Sequence, residues 1–217
     1  MLRKFKRIYG YYLEKIPGQE RFAYARSDQE DLYDLIAWSR RGGYPGSVIL
    51  FYDFETGDVY QPFEKKRDTI YGQPVSAGGT CYFLEGAYGE GRVTLWGCFP
   101  GREPWEVSSW TTDEIDLYNL RIVGNGVHVI SQNGTVRGYY PEKFEFPISP
   151  QETACFIEDG KVYLERWIEE GWDHENDRAS EDYVFYHKVV VRDLAGNLLS
   201  EELGYLHQAP DGSWWIA

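Results

Sequence analysis

Cysteine is scarce in this chain, positive charge is outnumbered, and no long apolar run exists; each shortage excludes a class of protein. Cys81, Cys98 and Cys155 are the only cysteines, far apart and set in apolar or aromatic surroundings (TCYFL, WGCF, TACFI). An odd number at such spacing makes no disulfide framework, and without a C-x-x-C there is no zinc or redox pair. Each is expected as a buried, reduced thiol. The 22 basic residues face 35 acidic ones, a formal charge of -13. That balance speaks against nucleic acid and anionic membrane surfaces, which require a concentrated basic face. The one basic cluster, Arg3, Lys4, Lys6 and Arg7, precedes IYGYYLEKIPG, which is not an apolar stretch ending in a small-residue cleavage site. No apolar run approaches the ~18 residues of a membrane helix. The resulting expectation is a soluble, cytoplasmic protein without membrane attachment.

Catalytic motifs are also missing. The four histidines, His128, His174, His187 and His207, stand at no zinc-ligand spacing, and there is no H-E-x-x-H. His187 reads as a hydrogen-bonded core residue on one face of a strand with Phe185, Val189 and Val191. G-x-S-x-G, a Walker loop and a Rossmann fingerprint are absent, and GAYGEG at Gly86 to Gly91 lacks a following helix, so it reads as a hairpin loop. No cofactor is expected. DHEND puts Asp173, Glu175 and Asp177 at alternate positions, as the first carboxylates of a calcium loop stand. The pattern then fails, with Arg178 where Gly is needed and Val184 where a bidentate Glu belongs. The stretch is expected to be a solvated hairpin loop without metal.

Aromatic residues, by contrast, are abundant at 17%, with apolar residues at 42%, ample to build a core without cross-links. They are organised in repeats. Val-rich and aromatic runs flank Gly57 in ETGD and Gly134 in QNGT, with a weaker copy around Gly196. Glycine accepts the positive φ of short β turns, so each reads as a hairpin. A second hairpin type, TCYFLEGAYGEGRVTLWGCF, aligns with TACFIEDGKVYLERWIEE and is echoed by the terminal DGSWWIA. One hairpin of each type makes a four-stranded unit. Three units fit, approximately 1–73, 74–147 and 148–203, with a closing hairpin over 204–217. The expected fold is a single all-β domain, a propeller-like array of about three irregular antiparallel four-stranded units whose C-terminal strand pairs with N-terminal ones.

The motif DLY[DN]L occurs twice, at Asp31 to Leu35 and Asp116 to Leu120. Its first copy sits in SDQEDLYDLIAWSRRGG, where Ser27 and Glu30 have capping-box spacing, Leu32, Leu35 and Ile36 share a helical face, and two glycines follow. Taken alone this is a helix. The second copy runs directly into Gly124 and a β-rich stretch, so strand or loop plus strand is the expectation for both. Tyr33 and Tyr118 are then expected as repeated core residues.

The functional expectation is a non-catalytic binding or protein-interaction module for an unknown protein, peptide or glycan. Ligand contacts should come from loops that differ between matching units. The two longest, GREPWEVSSW and EEGWDHENDRASED, are expected on one rim, with Trp105, Trp110 and Trp172 partly exposed around a groove. The alternative is a carbohydrate-active enzyme or glycan-binding protein using loop carboxylates and tryptophans. Carboxylate separation would decide its chemistry, about 5 Å for retention or roughly 6.5–9.5 Å for inversion.

Overall fold

A computed structural model describes residues 2–41, 43–124, 126–173 and 175–217. It is all-β, with 51% strand and 6% helix, in five mostly four-stranded antiparallel sheets. Each sheet is formed by strands consecutive in the chain, because tight turns return the backbone beside itself. The first contains β1 (Glu14–Lys15), β2 (Phe22–Arg26), β3 (Ile49–Asp53) and β4 (Val59–Tyr60). The second contains β5 (Thr69–Tyr71), β7 (Thr80–Ala87), β8 (Arg92–Cys98) and β9 (Trp105–Thr111), with β6 (Val75–Ala77) also against β7. The third contains β10 (Arg121–Val123), β11 (His128–Gln132), β12 (Thr135–Tyr140) and β13 (Phe144–Pro147). The fourth is β14 (Glu152–Glu158), β15 (Lys161–Asp173), β16 (Arg178–Asp193) and β17 (Leu198–Leu203), and the last is the hairpin β18 (Leu206–Gln208) and β19 (Trp214–Ile216).

The hairpin turns fall where the glycines place them. Gly57 links β3 to β4, Gly134 links β11 to β12, and Gly196 links β16 to β17. Between β14 and β15, Asp159 and Gly160 both take positive φ, 50° and 70°. Two consecutive left-handed residues make the type I′ turn whose twist matches the flanking strands. The unit count differs from expectation. The stretch 74–147 contains most of the second sheet and all of the third, so the array has four larger sheets and a hairpin instead of three units. The hairpins β7–β8 and β14–β15 are alike in sequence but lie two sheets apart, because the turn at Asp116 to Leu120 ends one sheet and begins another. The C-terminal strand also differs, since β19 pairs only with β18.

The cores lie between successive sheets. Phe22, Phe51, Phe83 and Cys98 join the first to the second. Leu84, Leu95, Ile122 and Val129 join the second to the third. Val123, Ile130, Leu164 and Val190 join the third to the fourth, and Phe156, Val189 and Leu206 join the fourth to the hairpin. Strand alternation explains this: Ile122 faces back to the second sheet, Val123 forward to the fourth. The far face of the first sheet is covered by the N-terminal segment, where Phe5 meets Tyr52 edge-on at 5.0 Å.

The segment after Ser27 corrects the strand expectation: it carries helix α1 (Leu32–Arg41). Leu32 and Leu35 are buried, with Ile36 packed beside them. Arg40 and Arg41 lie in the last turn, where cations suit the helix dipole. Gly43, at φ +88°, closes its N–H onto the Trp38 carbonyl at 3.3 Å and ends the helix. Ser27 caps nothing there; its hydroxyl accepts the Val48 N–H at 2.9 Å. The second DLY[DN]L copy is a turn, fixed by the Asp116 carboxylate accepting the Tyr118 N–H at 2.9 Å and by Asn119 at φ 51°. In both copies the two leucines enter one shared core, Leu32 and Leu35 with Leu117 and Leu120. The tyrosines are not core residues. Tyr33 and Tyr118 are 50% and 42% exposed and meet each other edge-on at 5.3 Å. A leucine pair at i and i+3 buries itself as helix or turn, which leaves the residue between them outside.

Among the described residues no helix is long and apolar enough to cross a membrane. Asp53 illustrates how the turns are held. Its carboxylate has no solvent exposure, accepts Arg21 Nη2 at 2.8 Å, and accepts the Glu55 N–H at 2.9 Å. Arg21, then these backbone donors, hold its pKa below the ordinary carboxylate value against burial. A depressed folded-state pKa contributes stability above the unfolded value and loses it as pH falls through the folded one. Asp53→Asn should therefore lower Tm at neutral pH, with the deficit narrowing on acidification below about pH 4. A Tm series against pH for both proteins checks this; a constant deficit would contradict it.

Candidate functional site

Residues from all five sheets border one cavity of 700 Å³. Glu14 of β1, Arg26 of β2, Ser76 of β6, Arg121 of β10, Cys155 of β14 and Trp214 of β19 all line it, so every sheet contributes. Three of its lining residues, Glu14, Arg26 and Trp214, each carry a buried polar atom without a hydrogen-bond partner, and such an atom is costly to leave unbonded.

Arg26 ends the apolar strand FAYAR and is 6% exposed. Its Nη1 donates to the Tyr71 carbonyl at 3.0 Å and its Nη2 to Gln29 Oε1 at 3.2 Å. The buried Nε has no partner. Arg121 begins β10, and its Nη2 donates to the Ala154 carbonyl at 2.8 Å and to Gln132 Oε1 at 3.1 Å, its Nη1 to the Asn119 carbonyl at 3.0 Å. Burial lowers its pKa, with Cys155 opposing. Gln132 braces this arrangement by donating to the Glu152 carbonyl at 2.8 Å and accepting the Ala154 N–H at 3.1 Å. Glu14 Oε1 and Trp214 Nε1 are buried and unpartnered. Tyr24, across from Glu14 in the β1–β2 ladder, has its phenol pKa pushed well up by burial and by Glu14. Cys155 is half-buried, its thiol pKa pushed up to about 11 by burial and then by the charge of Glu165.

A second hollow, of 760 Å³, lies between the second and third sheets beside Trp110, Asp116, Tyr139 and Glu145. Arg137 bridges its acids, 3.6 Å from Asp116 and 3.2 Å from Glu145.

The tryptophans expected around one groove are dispersed. Trp105 on β9 is 46% exposed and lies over Gly97. Trp110, on the same strand, is 9% exposed and belongs to the core, touching Tyr139 edge-on at 6.3 Å; it borders only the second hollow. Trp172 is half-buried near the tip of the long β15–β16 hairpin, edge-on to Tyr183 at 5.9 Å. Trp105 and Trp172 belong to the second and fourth sheets, and neither borders either cavity. The Asp173, Glu175 and Asp177 stretch is a hairpin loop; Asp173 accepts the N–H groups of Glu175 and Asn176, each at 3.2 Å. Among the described residues no group of three His, Cys, Asp or Glu could hold a metal. His174 lies outside the described residues. His187 packs edge-on between Phe185 and Tyr205, at 5.2 and 5.0 Å. All three thiols are free; Cys81 and Cys98, opposite each other on β7 and β8, are buried, while Cys155 is less so.

The residues that line the central cavity were not singled out from sequence. The available signal was an arginine at the end of an apolar strand, in FAYAR and RIV, without an acid beside it in the strand.

No family model, curated protein or solved structure matches the chain.

Proposed function

We propose that the protein is a non-catalytic binding module, with its sheets standing about a central space in the manner of a β-propeller, and that the 700 Å³ cavity is its ligand site. The observation that carries the reading is convergence: all five sheets lend residues to one cavity, and two arginines, the buried Arg26 and the half-buried Arg121, are among them. Ligand sites are typically about 300–1,000 Å³ with a few polar groups fixing orientation. A folded protein does not fit such a space, so among protein, peptide and glycan partners the reading favours a short glycan, a peptide end or another small polar molecule. A cytoplasmic setting agrees with three free thiols, which persist in reducing compartments.

A thermal-shift screen of small polar compounds tests the reading. A ligand at about 100 times its Kd should stabilise the fold by about 2.7 kcal/mol. Trp214→Phe keeps an aromatic ring to stack on Phe156 but removes the unpartnered Nε1–H with the rest of the pyrrole ring, so it should weaken that ligand by at least about tenfold. Unchanged affinity would place the ligand elsewhere.

The second hollow supports a different reading, a carbohydrate-active or glycan-binding protein, because Asp116 and Glu145 stand there with Trp110 and Tyr139. Both acids are engaged in ion pairs with Arg137, which counts against two carboxylates free to flank a glycosidic bond. Glycan turnover abolished by Glu145→Gln would favour this reading over the first.

A further inference from the structure

The strand arginines divide into two groups. Arg92, Arg137, Arg166, Arg178 and Arg192 each form an ion pair with a carboxylate, whereas among the described residues Arg26 and Arg121 form none. These two are the strand arginines that line the central cavity. With 35 acidic residues against 22 basic ones, carboxylates are abundant, yet among the described residues none pairs with either group within 4 Å. Their hydrogen-bond partners are neutral oxygens: the Tyr71, Asn119 and Ala154 carbonyls and the amides of Gln29 and Gln132. Such contacts fix a guanidinium in place but leave its charge uncompensated, and a desolvated charge without a counterion is costly.

We propose that the cavity binds the oxyanion group of a small ligand, a phosphate or carboxylate, through Arg121 and Arg26. Guanidinium groups hold oxyanions by charge-assisted hydrogen bonds, and both are already held in place by neutral oxygens, so a ligand's charged oxygens would replace some of these weaker contacts with little ordering lost. Glu14 lines the same space beside Tyr24, and a carboxylate there suits a ligand that carries a hydroxyl or ammonium donor beside its oxyanion. Lys15, Glu30 and Asp31 also border the cavity but are exposed, where water and salt screen them.

This inference rests on the cavity being the ligand site, and the experiment separates the two. Cys155 lines the cavity next to Arg121, so its alkylation rate, mapped by mass spectrometry, reports occupancy. Inorganic phosphate and citrate are the probes, each against chloride at matched ionic strength. The expected result is saturable protection of Cys155 by at least one of them, with a rise in Tm. Arg121→Gln should raise the probe's apparent Kd by at least about tenfold. Arg92→Gln, which removes an exposed ion pair, should leave it unchanged. Where Arg121→Gln fails to fold, Arg121→Lys serves, since it keeps the charge and loses the fork; it too should weaken the probe. The oxyanion proposal is overturned if neither probe protects Cys155 in the unaltered protein, or if protection survives loss of the fork. Protection by a neutral compound alone would overturn it while sparing the cavity reading. A compound that raises Tm without protecting Cys155 would overturn the cavity reading itself.

Discussion

Phe83→Ala should destabilise the protein by about 3–5 kcal/mol, the range for truncating a large aromatic in a packed core. Phe83 has no solvent exposure and sits where the first two sheets face each other. Its ring lies 5.9 Å from Phe51, 6.2 Å from Phe63 and 6.0 Å from Tyr71. Phe51 is on β3 of one sheet and Tyr71 on β5 of the next, so the void would be walled by hydrogen-bonded strands on both sides. Walls of that kind relax only partly, which places the cost toward the upper end. Urea denaturation with an unchanged m-value checks it. A loss under about 1 kcal/mol would mean that the two sheets do not pack face to face here.

Glu152→Ala should cost a similar amount for a different reason. Glu152 is 1% exposed; its Oε1 accepts Arg192 Nη2 at 2.8 Å and lies 4.0 Å from Arg166 Nη1, and its Oε2 accepts the Ser149 N–H at 2.9 Å. Removing one partner of a buried pair leaves the other charge uncompensated, typically at about 3–5 kcal/mol. Arg166 retains Glu201, so the loss falls on Arg192, whose Nε already lacks a partner. Glu152→Gln keeps the shape but has one acceptor oxygen for the two donors, Ser149 N–H and Arg192 Nη2, and no charge, so it should recover only a small part of the loss. A Glu152→Gln protein close to the unaltered one in urea denaturation, with Glu152→Ala strongly destabilised, would assign the effect to shape instead of charge.

Much of the fold was legible because its signals are local. A turn such as Asp159–Gly160 needs only two residues of suitable conformation, and alternation around it identifies both strands. What escaped depends on contacts between distant residues. The two DLY[DN]L copies differ in backbone, one entering α1 and the other turning at Asn119, yet both serve the same core. Likeness of sequence was read as likeness of conformation, whereas the shared property is leucine spacing. The boundary between the second and third sheets was missed because 111–120, the connection between them, contains no glycine turn of the hairpin kind. The site was hidden for a related reason. An arginine at a strand end is ordinary in sequence, and only its neighbours reveal whether it is paired. Arg137 and Arg121 look alike in the chain, but the first meets two acids and the second meets carbonyls. Tryptophan-rich loops drew attention instead, and Trp110 proved to be a core residue.

The central claim is that ligand enters the space shared by the five sheets. A crystal structure of the protein saturated with a stabilising compound from the screen tests this most directly. The account predicts density for the compound beside Arg121, Cys155 and Trp214. Density confined to the hollow beside Trp110 and Glu145, with the central cavity holding only water, would contradict it.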